Sequence, residues 1–197
     1  MADDGILNLE EESPSASKII RDWIFVIVIA LGAAMLVRVF VLQQFYISGP
    51  SMETSLFQND RVLVNKLSYR LHDVARGDVI VFDRVTTSGG VVEHDDLIKR
   101  VIAVGGDSIQ IKKCQVWVNG LEVEEPYLGF IDEGADLNSR CRVVDMPALT
   151  VPDDQLFVMG DNRAESFDSR SFGPIPRKLV IGRAFAVVWP LGSLRWL

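Results

Sequence analysis

The stretch Ser48-Gly49-Pro50-Ser51-Met52 has the composition of a tight turn that ends on a serine. A serine hydroxyl is a weak nucleophile and needs a base within hydrogen-bond reach. The sequence holds two histidines, His72 and His94, and neither stands in a triad context. Ser51 is outside a G-x-S-x-G elbow, because Glu53 follows Met52. H-E-x-x-H is absent, and no cysteine or histidine lies at ligand spacing from either histidine, so neither a metal nor a cofactor is expected.

Lysine is the other base, and it works only when neutral, which requires burial to depress its pKa. Most lysines here sit beside polar or charged residues. Lys99 instead lies in the apolar run Leu97-Ile98-Lys99-Arg100-Val101-Ile102-Ala103-Val104. Strand alternation puts it on one face with Leu97, Val101 and Ala103, and Ile98, Arg100, Ile102 and Val104 on the other. Such a lysine is either desolvated for a purpose or an edge-strand residue that discourages aggregation. On periodicity alone the edge reading is the commoner. A third polar stretch, Met159 to Arg170, lies between apolar runs and contains Gly160, Asp161, Asn162, Arg163, Ser166, Asp168 and Arg170. An Asp–Arg pair with capping Asn and Ser would make a rigid loop there; orienting a catalytic amine is the alternative.

These residues need elements to hold them. The acidic stretch 1–17 reads as a solvated tail. Trp23–Leu42 is an apolar run interrupted only by Arg38, about 30 Å long as a helix, which suits a membrane span. A cleaved signal peptide would want a basic start and small residues at its end, and both are missing. Lys18 and Arg21 before the span favour an inside N-terminus. Beyond it, Arg61–Val64, Val79–Phe82, Ile98–Val104, Ser108–Ile111, Gln115–Val118, Gln155–Met159 and Arg183–Trp189 read as strands. Asn119-Gly120 predicts a hairpin. Residues 125–150 read as an irregular insert. The fold class expected is mainly β: one transmembrane helix, then an antiparallel core over 45–105 and 155–197, with a lobe at 106–154 inserted. The net charge is −7, and Asp3, Asp4, Glu10, Glu11 and Glu12 supply five of those charges. No basic stripe with interleaved aromatics appears, so nucleic acid is not an expected partner.

Taken in order, these stretches resemble the bacterial type I signal peptidases, membrane-anchored Ser-Lys proteases with a signal-peptidase/LexA-like catalytic fold. Phe45 to Met52 matches the nucleophile box, and Asp60–Lys66 and Arg76–Phe82 match two structural boxes. Lys99–Asp107 matches the general-base box, and Gly160–Arg163 through Asp168–Arg170 matches the last one. The resemblance implies that Ser51 attacks, Lys99 takes its proton, Ser166 orients the lysine and Asp168–Arg170 braces the loop. It implies signal peptides of exported preproteins as partners, cut after small residues of A-x-A type. The enzyme would be a monomer in the bacterial cytoplasmic membrane, with its catalytic domain outside. The oxyanion donor would be the Ser51 N–H; the position where some members add a serine hydroxyl is Gly49. An extended substrate would lie between Ile47–Pro50 and Asp96–Ile98, with Ile47, Ser48, Gly49, Pro50, Met52, Leu56, Asp96, Leu97, Ile98 and Val158 around it. Cys114 and Cys141 would then lie in an oxidising compartment, where pairing would staple 115–140. A tethered β module without catalysis, or a LexA-like self-cleaving protease, are the alternatives. The first leaves five ordered boxes as coincidence, and the anchor contradicts the second.

Overall fold

The computed structural model describes residues 16–129 and 137–197, so residues 1–15 of the expected tail 1–17 lie outside the described residues, and Ala16 and Ser17 open a helix instead. The chain divides between Val39 and Phe40 into two units. The first holds all but the last residue of helix α1, Ala16–Phe40. Among the described residues it is the one helix long and apolar enough to cross a membrane. Trp23, Phe25, Leu31 and Met35 are all largely exposed, so the helix presents apolar side chains without a protein core to bury them. It begins before the expected Trp23 and stops before Leu42. Leu42 belongs instead to the first strand, because Gln43 and Gln44 fit a sheet edge better than a bilayer.

The described residues of the second unit form twelve strands. They are β1 (Leu42–Tyr46), β2 (Arg61–Asn65), β3 (Val79–Ser88), β4 (Val91–Val104), β5 (Ser108–Lys112) and β6 (Gln115–Val118). Then follow β7 (Leu121–Glu122), β8 (Met146–Thr150), β9 (Gln155–Met159), β10 (Ile175–Pro176), β11 (Val180–Trp189) and β12 (Arg195–Trp196). The larger sheet runs β1-β2-β11-β3-β4-β9-β10, with β12 on β11, and the smaller runs β7-β6-β5-β8. All pairings are antiparallel. The fold is therefore mainly β behind an apolar helix.

Local chemistry explains the joints. Asn119 and Gly120 both have positive φ, 53° and 80°, and close the β6–β7 hairpin as a type I′ turn should. Gly89 and Gly90, at 58° and 83°, do the same for β3 and β4. That hairpin extends far beyond Phe82 and begins long before Ile98. Its outer arm has no alternating apolar pattern, because most of its residues face water on both sides. Strand β8 lies within the stretch read as irregular; Pro147 and its exposed flanks hid it.

Strand β4 sits between β3 and β9, whose register with it begins at Arg100, and Lys99 just before that point is only 3% exposed, so it is not a solvated edge lysine. The β4–β9 register shifts between Val101 and Ala103. Leu97 and Val101 pack with Ile80, Phe82 and Val158, whereas Ile102 and Ala103 both pack with Ile109 and Phe157. The face expected to carry Val101 and Ala103 together thus ends at the bulge, because one extra residue breaks the two-residue period. A third cluster, with Ile47, Met52, Leu56, Val62 and Val187, lies under the nucleophile segment.

Where β11 crosses β2, a Cβ on Gly182 would stand 2.5 Å from Asn65 O and 2.8 Å from Val64 Cγ1. Gly182→Ala is expected to destabilise the protein by about 1–3 kcal/mol through this overpacking. A lowered urea midpoint with an unchanged slope checks it; an unaltered midpoint would refute the close packing.

Candidate active site

Ser51 lies in a single 3-10 turn, Pro50–Met52. Pro50 suits the first position, since it lacks an N–H that would go unpaired there. Glu53 N–H closes the turn on Pro50 O at 2.9 Å, and Leu56 N–H reaches Met52 O at 2.8 Å. Met52 and Leu56 then sink into the core and fix the turn from below. Gly49 is extended, with φ −134°, and a Cβ there would meet nothing within 4 Å. No steric reason for glycine exists at that position.

Lys99 comes from β4, opposite Ile80 of β3. Its Nζ donates to Ser51 Oγ at 2.6 Å and to Ile98 O at 2.9 Å. The residue is only 3% exposed. Burial pulls its pKa down to about 8, against the pull of Asp168 and Asp161, with Arg170 helping. Neither aspartate touches the amine with a hydrogen bond. Arg170 grips Asp168 through Nε at 2.8 Å and Nη2 at 2.7 Å, and both side chains are essentially without exposure. Burial raises the Asp168 carboxyl, but Arg170 and the Gly160 N–H outweigh it and hold it below the usual range. Arg100 grips Asp161 in the same fork, at 2.9 and 2.7 Å.

The Met159–Arg170 loop closes over the serine. Asn162 N–H donates to Ser51 O at 3.1 Å, and Asn162 Oδ1 caps Glu165 N–H. Arg163 Nε donates to Gly160 O at 3.1 Å. A Cβ on Gly160 would stand 2.3 Å from both Ser51 O and Ser166 Oγ, so the loop lies as close as it does only because that residue is glycine. Ser166 is fully buried there. Its hydroxyl does not bond to Lys99 and makes no hydrogen bond of ordinary geometry among the described residues, although it lies beside the Asp168 carboxylate. The expected serine–lysine contact is therefore replaced by Ile98 O, which takes the second Nζ bond.

Of the residues expected around a substrate, Ser48, Pro50 and Asp96 are exposed and Gly49, Leu97 and Ile98 are half-buried. Met52, Leu56 and Val158 have no exposed surface, and Ile47 has almost none. They are core residues and do not line an open cleft: alternation showed their apolar faces but not how deep each face lies. Cys114 and Cys141 are joined, with Cα atoms 5.8 Å apart.

The family described as signal peptidase, peptidase S26, matches residues 20–189. The chain belongs to that family. Signal peptidase I of Bacillus amyloliquefaciens is 34% identical over 94% of this chain and 97% of its own length. Signal peptidase I S of Bacillus subtilis strain 168 is 33% identical, over 95% and 98%. Signal peptidase IB of Staphylococcus aureus strain MRSA252 is 31% identical, over 91% and 94%. In this signal peptidase, the residues that sequence reasoning missed are Ser55, Arg100, Glu125, Tyr127 and Arg142. Arg100 was visible as a charge in an apolar strand; the others carried no signal, since their partners lie far along the chain.

Because a buried, lowered-pKa lysine is paid for by the fold, Lys99→Met is expected to unfold at a higher temperature than wild type at pH 7. The shift from 10.5 to about 8 corresponds to at most about 3 kcal/mol. The unfolded lysine binds its proton up to 10.5 and the folded one up to about 8, so wild-type stability rises with pH between them. The gap between variant and wild type should shrink over that window. Calorimetry at pH 7 and 10 measures it; a variant less stable at pH 7 would contradict the desolvated amine.

Proposed function

We propose that this signal peptidase is a membrane-anchored serine endopeptidase that removes signal peptides from exported preproteins, with Ser51 as nucleophile and Lys99 as general base. The reading rests on one observation, the 2.6 Å approach of a buried lysine amine to a serine hydroxyl. A neutral amine has two N–H groups and a lone pair. One N–H suits Ile98 O, and the lone pair suits the Ser51 proton.

As Ser51 Oγ attacks the scissile carbonyl carbon, its proton passes to Lys99 Nζ. The resulting ammonium gives that proton to the leaving amine as the peptide bond breaks. A water then loses a proton to the again neutral Lys99 and opens the ester, and the ammonium returns the proton to Ser51. The oxyanion is assigned to the Ser51 N–H, an early donor of the 3-10 turn and so without a partner inside it. Ser166, packed between Gly160 and the Asp168 pair, acts as a positioning residue.

The substrate enters as a strand. Residues Asp96–Ile98 pair with β3 on one side only, since the β9 register begins at Arg100. Their other edge is free to accept an extended peptide opposite Ile47–Pro50. Leu97 and Ile98, half-buried, leave room for small side chains, which fits cleavage after alanine-type residues. The N-terminus is assigned to the inside, from Lys18 and Arg21, and the catalytic unit to the outer face, where a disulfide persists. The protein is assigned as a monomer.

Folded Ser51→Ala is expected to be inactive on a preprotein, and Lys99→Ala to lose roughly 10²–10⁴-fold in rate. Near wild-type cleavage by either would sink the dyad. Separately, log kcat/KM should rise with pH up to an apparent pKa of about 8 and then level, because only neutral Lys99 accepts a proton. A limb near 10.5 would mean the base is not buried in the free enzyme.

A further inference from the structure

The second sheet sends one short segment back to the active site. Beyond β7, Glu125 pairs with Arg163 through a fork whose Nη1 bond is 2.8 Å, and both side chains are less than 10% exposed. Two residues on, the Tyr127 ring lies over the Arg100 guanidinium, 4.0 Å from Cζ to the ring centre. Tyr127 O accepts from Thr54 Oγ1 at 2.7 Å, and Tyr127 Oη donates to Glu125 Oε1 at 2.7 Å. Burial, together with the Glu125 carboxylate, raises the phenol's pKa and keeps it neutral.

Arg100 is the reason this matters. It follows Lys99 on β4, and its in-plane donors reach Asp161, Gly77 O and Ser55 Oγ. One guanidinium therefore ties together the lysine's strand, the loop after Ser51 and the loop that carries Asp161. Four of its five N–H groups are engaged at its edges, and the Tyr127 ring lies over one flat face. A ring on that face supplies cation–π attraction and keeps the ion pair dry. On the other flank, Arg163 O accepts from Arg142 N–H at 3.1 Å and from Arg170 Nη1 at 2.8 Å. Arg142 adjoins Cys141, whose bond to Cys114 fixes it to the turn after β5.

We propose that Tyr127 and Glu125 are positioning residues for the Ser51–Lys99 pair, acting through Arg100 and Arg163. The proposal rests on the dyad reading. Neither residue meets the reacting atoms. They fix the two arginines that set the separation of the lysine strand, the nucleophile turn and the closing loop.

The charged groups around Lys99 are Asp161, Asp168 and Arg170, with Arg100 next to it on β4. Loosening the Tyr127 cover lets water reach the Arg100–Asp161 pair and relieves part of the burial that depresses the lysine. The acid limb of the pH–rate profile should then move up.

The test uses the full chain in mixed detergent–lipid micelles with a purified preprotein that carries an A-x-A cleavage site. Tyr127→Leu keeps apolar bulk without the ring's quadrupole, and Glu125→Gln keeps size without charge. Each is expected to lower kcat at least tenfold with KM within twofold, and Tyr127→Leu to move the acid limb upward by half a pH unit or more. Tyr127→Phe, which keeps the ring, should recover most of the rate and the wild-type limb. Thermal unfolding establishes that each variant is folded; if Tyr127→Leu is not, Glu125→Gln and the Tyr127→Phe comparison carry the test. Folded variants with wild-type kcat and limb overturn the proposal while Ser51→Ala remains inactive. Lost rate in folded Tyr127→Leu with an unmoved limb, or a loss confined to KM in either variant, also overturns it. An active Ser51→Ala overturns the dyad reading itself, and the positioning claim with it.

Discussion

A lysine amine must be dry to act as a base, and dryness invites the nearest carboxylate to recharge it. Lys99 has two aspartates close enough to pull its pKa up, Asp161 and Asp168. Each is instead engaged by its own arginine, Arg100 and Arg170, in forked ion pairs with almost no exposure. Both acids are satisfied by their arginines without a hydrogen bond to the amine. Breaking either pair would leave an uncompensated buried charge beside Lys99, the costly case for any buried ion pair. This sharing of charge, together with burial, holds the pKa of one amine down to about 8 within reach of Ser51.

The rest of the catalytic unit serves that constraint. Strand β4 holds Lys99 in the middle of the larger sheet, where both flanks are paired from Arg100 onward. The 3-10 turn is pinned by Met52 and Leu56 in one cluster, while Leu97 and Val101 pack in another. Gly160 lets the closing loop approach Ser51 O and Ser166 at distances that no side chain would allow. The smaller sheet reaches the site through Glu125, Tyr127 and Arg142, all of which contact the arginine framework rather than the dyad.

Much of the strand order was legible in the sequence, because half-buried strands alternate and glycine or Asn-Gly turns punctuate them. The runs at Gln115–Val118 and Gln155–Met159 coincide with β6 and β9. The long outer arms of β3 and β4 were not legible, since an arm wetted on both sides has no apolar period. The depth of the apolar positions was also hidden. Met52, Leu56 and Val158 looked like pocket walls and are core, because alternation reports a face and not what covers it. Ser166 was read as a partner of Lys99, yet its hydroxyl does not reach the amine.

By itself, the sequence determined that one apolar helix precedes a β-rich unit, that Ser51 sits in a turn, and that Lys99 is an anomalous charge in an apolar run. These are local properties, written in composition and period. Periodicity alone favoured an edge residue over a base. Only the tertiary structure set the edge reading aside, by burying Lys99 and bringing positions 48 residues apart to 2.6 Å. It also decided which arginine neutralises which aspartate, and that Tyr127 covers Arg100. A pKa depends on what surrounds a group in three dimensions, and no spacing along a chain records that.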